Sequence, residues 1–185
     1  MVRQRGPGQV DSVAAPPPAD LRSDSFDEFY AANFQSLLLQ LYAFTADVGH
    51  AQDAVQEAFS RAWPRWDKLR AYDNPATWIR RVAMNVASSR WRRMRAARAH
   101  AHFHREQHAE GPSPDRVALA RALAKIPAAH RRALVLFHIA DLSISEIAVQ
   151  EGAAEGTVKS WLHRGRAALA SQLSDSDSTR EDRHA

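Results

Sequence analysis

Between Thr77 and Arg98 the sequence TWIRRVAMNVASSRWRRMRAAR sets a tryptophan and an asparagine among arginines. At 3.6 residues per turn, Trp78, Ile79, Val82, Ala83 and Val86 share one side and predict an amphipathic helix with a buried face. Arg80, Arg81, Met84, Ser88, Trp91, Arg92 and Arg95 fall on the other side, with Asn85 at its edge. An unpaired base can stack on an indole face, bond its edge to an amide, and have its flanking phosphates neutralised by guanidinium groups. A solvated basic helix whose Trp91 packs on a neighbour accounts for this stretch alone equally well. Just upstream, Leu69, Tyr72 and Asn74 fall in a loop; an aromatic and an amide beside a basic helix could pocket a flipped base, or Tyr72 could simply cap the core.

A second constellation lies near the C-terminus. LSISEIAVQEGAAEGTVKSWLHRGRAALA reads as helix, tight turn, helix: Ser143 and Glu146 have capping-box spacing, Ile144, Ile147 and Ala148 pack inward, and Gly152 breaks the chain at the turn. Val158, Leu162 and Leu169 bury the second helix and leave Thr157, Lys159, Ser160, His163, Arg164 and Arg166 outward. A helix of that kind fits the major groove of B-DNA and offers donors to bases and phosphates.

Two further clusters invite chemistry, but their surroundings argue against it. Asp53 and Glu57 are four apart and share one helix face. No nucleophile, glycine cradle or metal set accompanies them, which favours a solvated or partner-facing acidic stripe over acid/base catalysis. His100, His102, His104 and His108 cluster on a segment with no acidic or cysteine companions, so no metal or other cofactor is expected. Zero cysteines exclude disulfides, thiolate zinc sites and cysteine nucleophiles.

The elements that must position these residues are helical. At 185 residues, 45 % hydrophobic and 25 % charged, the chain has the composition of a soluble helix-rich protein and room for two small cores. Residues 1–24, with a PPP run, are expected to be a flexible tail; their lack of an apolar signal segment, and the absence of any membrane-spanning apolar run, point to the cytoplasm. Ser25 then precedes a helix carrying Phe26, Phe29, Tyr30, Phe34, Leu37, Leu38, Leu41, Tyr42 and Phe44 as core. After a turn at Asp47–Gly49, a second helix buries Ala54, Val55, Ala58, Phe59 and Ala62, and Pro64 ends or kinks it. Apolar periodicity lapses from Ala96, giving a linker over 96–113. Two helices, opened by Pro114 and Pro127, then lead into the helix-turn-helix, and residues 174–185 are expected to be a disordered tail.

Charge divides along the chain more sharply than the net +4 implies. From Asp20 to Ser60 seven acidic residues face only Arg22, whereas from Arg61 to Arg105 twelve basic residues face only Asp67 and Asp73. The division fits one acidic surface for a partner and one basic surface for a polyanion, or two halves that neutralise each other.

DAVQEAFSRAW at 53–63, TWIRRVAMNVA at 77–87 and LSISEIAVQEGAAEGTVKSWLHRGRAAL at 142–169 occur in the order and spacing of the extracytoplasmic-function (group IV) sigma factors, which this chain resembles over most of residues 26–173. The resemblance implies an all-α fold of two small helical domains on a flexible linker: a region 2-like domain at 25–95 and a region 4-like domain at 114–173. It implies a promoter-specificity subunit with no catalysis of its own and no membrane insertion. Its expected partners are core RNA polymerase, through the largest-subunit clamp helices and the flap, promoter DNA, and an anti-sigma factor. Asp53, Gln56 and Glu57 would dock the clamp helices. Asn85, with the Leu69–Asn74 loop, would capture a flipped minus-10 base; Trp78 would support it, and Arg81, Ser88, Trp91 and Arg92 would face the melting DNA. Thr157, Lys159, Ser160, His163 and Arg164 would meet the minus-35 duplex.

The chain departs from the family pattern at Trp161, where arginine is usual, which substitutes packing or base stacking for a phosphate contact. Ala153-Ala154 leaves the recognition helix without a side-chain cap, at a typical cost of about 1 kcal/mol. Gly165 stands for a usual alanine, at about 1 kcal/mol in a helix interior. The competing reading is a free-standing dimeric helix-turn-helix regulator, which leaves the acidic stripe and the aromatic-basic helix without a purpose.

Overall fold

Helix α1 (Phe26–Thr45) starts where Ser25 holds extended backbone. It stops where Ala46 turns into the left-handed region (φ 57°) and its N–H bonds the Tyr42 carbonyl at 2.8 Å. The computed structural model describes residues 25–98 and 113–181, with side chains over 25–90 and 113–174; among them every regular element is helical. The expected turn through Gly49 is shorter than its sequence implied. Asp47 Oδ1 accepts the His50 N–H at 2.8 Å, so α2 (Val48–Ala62) already contains Gly49.

Pro64 does end α2, but the segment beyond it is not all loop. A 3-10 turn at Trp63–Arg65 runs into α3 (Trp66–Leu69), which drops Trp66 and Leu69 into the core. Phe26, Phe29, Tyr30, Phe34, Phe59, Trp63 and Trp66 form a continuous aromatic cluster there, many pairs edge to face. Helix α4 (Pro75–Arg98) then crosses α1 and α2. Its innermost positions are Ala76, Ile79, Ala83, Met84 and Ala87. Trp78, Val82 and Val86, expected innermost, are only half-buried, and Met84, expected on the basic side, is fully enclosed. The stripe is rotated because small alanines permit close approach to α1 and α2, leaving the bulky residues to seal its edges.

The second half comprises α5 (Pro114–Ala124), α6 (Ala128–His138), α7 (Ile144–Glu151) and α8 (Glu155–Glu181). The expected capping box is complete: Ser143 Oγ accepts the Glu146 N–H at 3.2 Å and Glu146 Oε2 accepts the Ser143 N–H at 2.8 Å. Hydrogen bonds from the Ser143 hydroxyl and then its N–H hold the Glu146 carboxyl below the usual carboxylate range. Gly152 makes the tight turn at φ 64°. Helix α8 passes the expected boundary at residue 173 and reaches Glu181, since no glycine or proline follows Gly165 to stop it. The linker and its four histidines lie outside the described residues.

The two halves do not stand apart. One buried cluster runs from Phe29 through Leu41 and Phe44 to Leu123, Leu134 and Leu136, because α5 and α6 pack on the face of α1 that α2 and α4 leave open. Arg131 is fully buried in this seam, its guanidinium 4.6 Å from the centre of the Phe44 ring.

Gly165 also has a purpose. It is where α8 meets α6, and a Cβ built there would lie 3.0 Å from Leu134 Cγ and 3.3 Å from the His130 carbonyl oxygen. The helix cost of glycine is therefore the condition for close packing and not a mark of softness. Gly165→Ala would recover about 1 kcal/mol of helix propensity against an overpacking cost of roughly 1–3 kcal/mol. We expect a net loss of about 1 kcal/mol by urea denaturation; a raised midpoint would mean that α6 yields freely.

Candidate nucleic-acid interface

Helix α4 carries the residues expected to handle unpaired bases. Its first turn is capped by Asn74, whose Oδ1 accepts the Thr77 N–H at 3.1 Å. The side-chain carbonyl of Asn74 is thus committed to the helix, and Leu69, only 2 % exposed, belongs to the core. Leu69 shapes the loop from within the core, and Asn74, half-exposed, holds the start of α4. Tyr72, 49 % exposed, faces solvent from the loop, as Arg70 and Asp73 do.

Beyond the cap, Arg81 and Asn85 are exposed and Ser88 is half-exposed, one turn apart along a single face. Arg80 does not join them. Its Nε donates to Gln40 Oε1 at 3.1 Å, Gln40 is 3 % exposed, and burial pushes the guanidinium pKa down from its ordinary value. Arg80 therefore braces α4 on α1 instead of serving the basic surface. Trp91 and Arg92 continue the helix, outside the described side chains.

The acidic stripe on α2 survives folding as a surface. Asp53 and Gln56 are exposed and Glu57 half-exposed, above the buried Ala54, Val55 and Ala58. Arg90 of α4 reaches Asp53 at 3.1 Å and Arg61 reaches Glu57 at 2.9 Å. Exposed pairs of this kind contribute at most about 1 kcal/mol, so a partner can exchange them readily. The pairing also gives part of the charge division an internal use, which residue spacing alone left open.

On α8, Thr157, Lys159, His163 and Arg164 are exposed, Ser160 is half-exposed, and Val158 and Leu162 are buried beneath them. Trp161 is partly buried against the core, which gives it a packing role. Arg166, expected outward, is exposed, and it also lies 5.4 Å from the Phe137 ring centre and donates to His138 Nε2 at 3.4 Å. Burial, then the nearby Arg166 charge, lower the His138 pKa. The first turn of α8 is held by backbone bonds, with the Ala154 carbonyl accepting from Thr157 at 2.9 Å and Val158 at 3.1 Å.

One residue that the sequence did not single out ties these surfaces together. Arg132 of α6 donates from Nη2 to Asn85 Oδ1 at 3.0 Å and from Nη1 to Ser88 Oγ at 3.4 Å. Its Nε is held by Glu151 Oε1 at 2.8 Å, with both side chains only 13 % exposed. The adjacent Arg131-Arg132 pair in an otherwise apolar helix was the available signal. Among the described residues no group of acidic, histidine or cysteine side chains could hold a metal ion, and no helix is long and apolar enough to cross a membrane.

The sigma-70 region 2 family matches residues 29–98 and the sigma-70 region 4 family matches residues 116–169. The RNA polymerase sigma-E factor of Streptomyces coelicolor is 31 % identical over 155 residues, covering 80 % of this chain and 85 % of that protein. The ECF RNA polymerase sigma factor SigL of Mycobacterium tuberculosis is 33 % identical over 177 residues, covering 91 % and 98 %. Among solved structures, CnrH in complex with the cytosolic domain of CnrY matches with a TM-score of 0.61 at 25 % identity, covering 81 % of this chain and 88 % of CnrH. The sigma factor RpoE of Bartonella quintana, solved with the anti-sigma factor NepR, shares the fold at TM-score 0.67 and 24 % identity, covering 80 % and 96 %. Two matched regions in the right order, with relatives at 31–33 % identity over most of the chain, identify it as a member of the extracytoplasmic-function sigma factors of the sigma-70 family, a promoter-directing subunit of RNA polymerase, and do not favour a free-standing dimeric regulator.

Proposed function

We propose that residues 25–95 bind core polymerase and capture the minus-10 element, that 114–173 read the minus-35 duplex, and that 96–113 tether the two. The observation that carries this reading is α4, one helix with Ala76, Ile79, Ala83, Met84 and Ala87 anchored in the core and Arg81, Asn85 and Ser88 on the outer face. An amide held on a rigid helix can bond a base edge without first being ordered, and flanking arginines neutralise the phosphates on either side. Tyr72 offers a stacking face at the loop that Leu69 and Asn74 shape, and Trp91 and Arg92 are assigned to the same strand.

Asp53, Gln56 and Glu57 dock the largest subunit's clamp helices, the flap engages the second half, and Thr157, Lys159, Ser160, His163 and Arg164 enter the major groove. The chain works by binding alone, in the cytoplasm with the polymerase, and an anti-sigma factor is a further partner. The precedent for that partner is the pairing of RpoE with the anti-sigma factor NepR.

Three measurements test these assignments. Gln56→Ala with Glu57→Ala is expected to weaken core-polymerase binding about tenfold or more, in line with a partly buried polar anchor, with the melting curve unchanged; unaltered affinity would remove the docking surface. Asn85→Ala is expected to reduce promoter melting, followed by permanganate footprinting, about tenfold while duplex binding changes less; the reverse order would remove the base-capture role. Replacing Lys159 and Arg164 by alanine should lower the slope of log K against log salt by about 0.9 for each lost phosphate contact, and an unchanged slope would exclude them as phosphate ligands.

A further inference from the structure

Between α1 and the first turns of α4 lies a cavity of about 20 Å³, large enough for one water-sized occupant. Phe29 and Ile79 give it apolar walls, while Asn33, Ser36, Gln40 and Arg80 give it polar ones. The hydrogen bonds made there use acceptors and leave donors. Arg80 Nε takes Gln40 Oε1 at 3.1 Å, and Gln40 Nε2 donates to Ser36 Oγ at 3.3 Å, so the Ser36 hydroxyl keeps its own proton to give. Asn33 Nδ2 donates to the Phe29 carbonyl at 2.8 Å and retains a second hydrogen. Arg80 Nη1 is buried and has no hydrogen-bond partner among the described residues. Against these donors stands the Asn33 carbonyl oxygen as the acceptor left over.

The charge is as unbalanced as the hydrogen bonding. Among the described residues no carboxylate forms an ion pair with Arg80. Glu146, the carboxylate whose charge reaches it, is already bonded to the Ser143 hydroxyl at 2.6 Å and the Ser143 N–H at 2.8 Å. Burial lowers the Arg80 pKa accordingly. A water molecule can satisfy an N–H, but it cannot neutralise a desolvated cation, and a buried charge without a counter-charge is costly. We infer that the cavity binds one small monovalent anion of chloride size, held by Arg80 Nη1 with the Ser36 hydroxyl and the spare amide hydrogens of Asn33 and Gln40. The space is too small for a polyatomic carboxylate or a phosphate ester, which leaves a halide. Because Asn33, Ser36 and Gln40 belong to α1 and Arg80 to α4, the bound anion ties the two helices together. The inference stands apart from the base-capture and polymerase-docking assignments.

The test compares the full-length chain in sodium chloride, sodium bromide and sodium gluconate at one ionic strength of about 0.15 M, so that general screening is held constant. The melting temperature is expected to be about 3–6 °C higher in either halide than in gluconate, the shift that a ligand at roughly ten times its dissociation constant gives a chain of this size. The width of the chloride NMR line reads binding directly, because an ion held on a protein relaxes faster than a free one. Arg80→Gln, which keeps an amide but no charge, should erase both the melting difference and the excess line width. Ser36→Ala, at an exposed helix position, leaves the Arg80 to Gln40 bond in place and should weaken chloride binding about tenfold, as loss of a hydrogen bond to a charged group does. Exposed arginines take up halide weakly in every variant alike, so the difference between variants is the readout. If the wild type melts at the same temperature in all three salts and its chloride line is no broader than that of Arg80→Gln, the cavity holds water only and the inference fails. Excess line width that is undiminished in either folded variant overturns the site. Should Arg80→Gln not fold, Ser36→Ala decides the matter by the same criterion.

Discussion

Everything else in the described molecule is built around the burial of five successive residues near the end of α1. Gln40, Leu41, Tyr42, Ala43 and Phe44 are all buried, and at 100° per residue five successive positions sweep more than a full turn. A helix closed in on every side cannot be covered by one layer. Helices α2 and α4 take one side and α5 and α6 the other. What each half lacks, the other supplies, and the chain becomes a single packed body around one shared helix.

That arrangement decides what the charged residues do. Arg131, facing the enclosed helix, gives up solvent and settles over the Phe44 ring, while its neighbour Arg132 points along the seam to α4. A guanidinium taken from water needs partners, and Glu151, Asn85 and Ser88 provide them. An amide oxygen and a hydroxyl are acceptors without donors of their own on that side, which is what a guanidinium requires.

The helix-turn-helix half illustrates how packing reassigns residues that look similar in the sequence. Lys159, Arg164 and Arg166 are all exposed, but only Arg166, two positions beyond Arg164, also rests on Phe137 and His138. Gly165 between the two arginines is an apparent weakness in the helix that proves to be the contact point with Leu134. Neither outcome follows from local pattern, because both depend on how closely α6 approaches α8.

Periodicity, caps and breakers are local, so the long helices, their order and the motifs of the family were legible from the residues alone, while the short α3 was read as loop. Ser143 with Glu146, Gly152, Pro114 and the Val158–Leu162 stripe each act within a turn or two of the chain. The exposed acidic stripe of α2 and the Asn85 face of α4 could be located for the same reason. Met84, Arg80 and Leu69 were misjudged, since their burial depends on how close a neighbouring helix comes, and α8 was ended early where no breaker required an end. That the two halves share α1, and that Arg132 meets Asn85 across 47 residues of chain, emerged only from the folded arrangement. Pairings of that separation are set by the packing of whole helices, for which no spacing rule within the sequence exists.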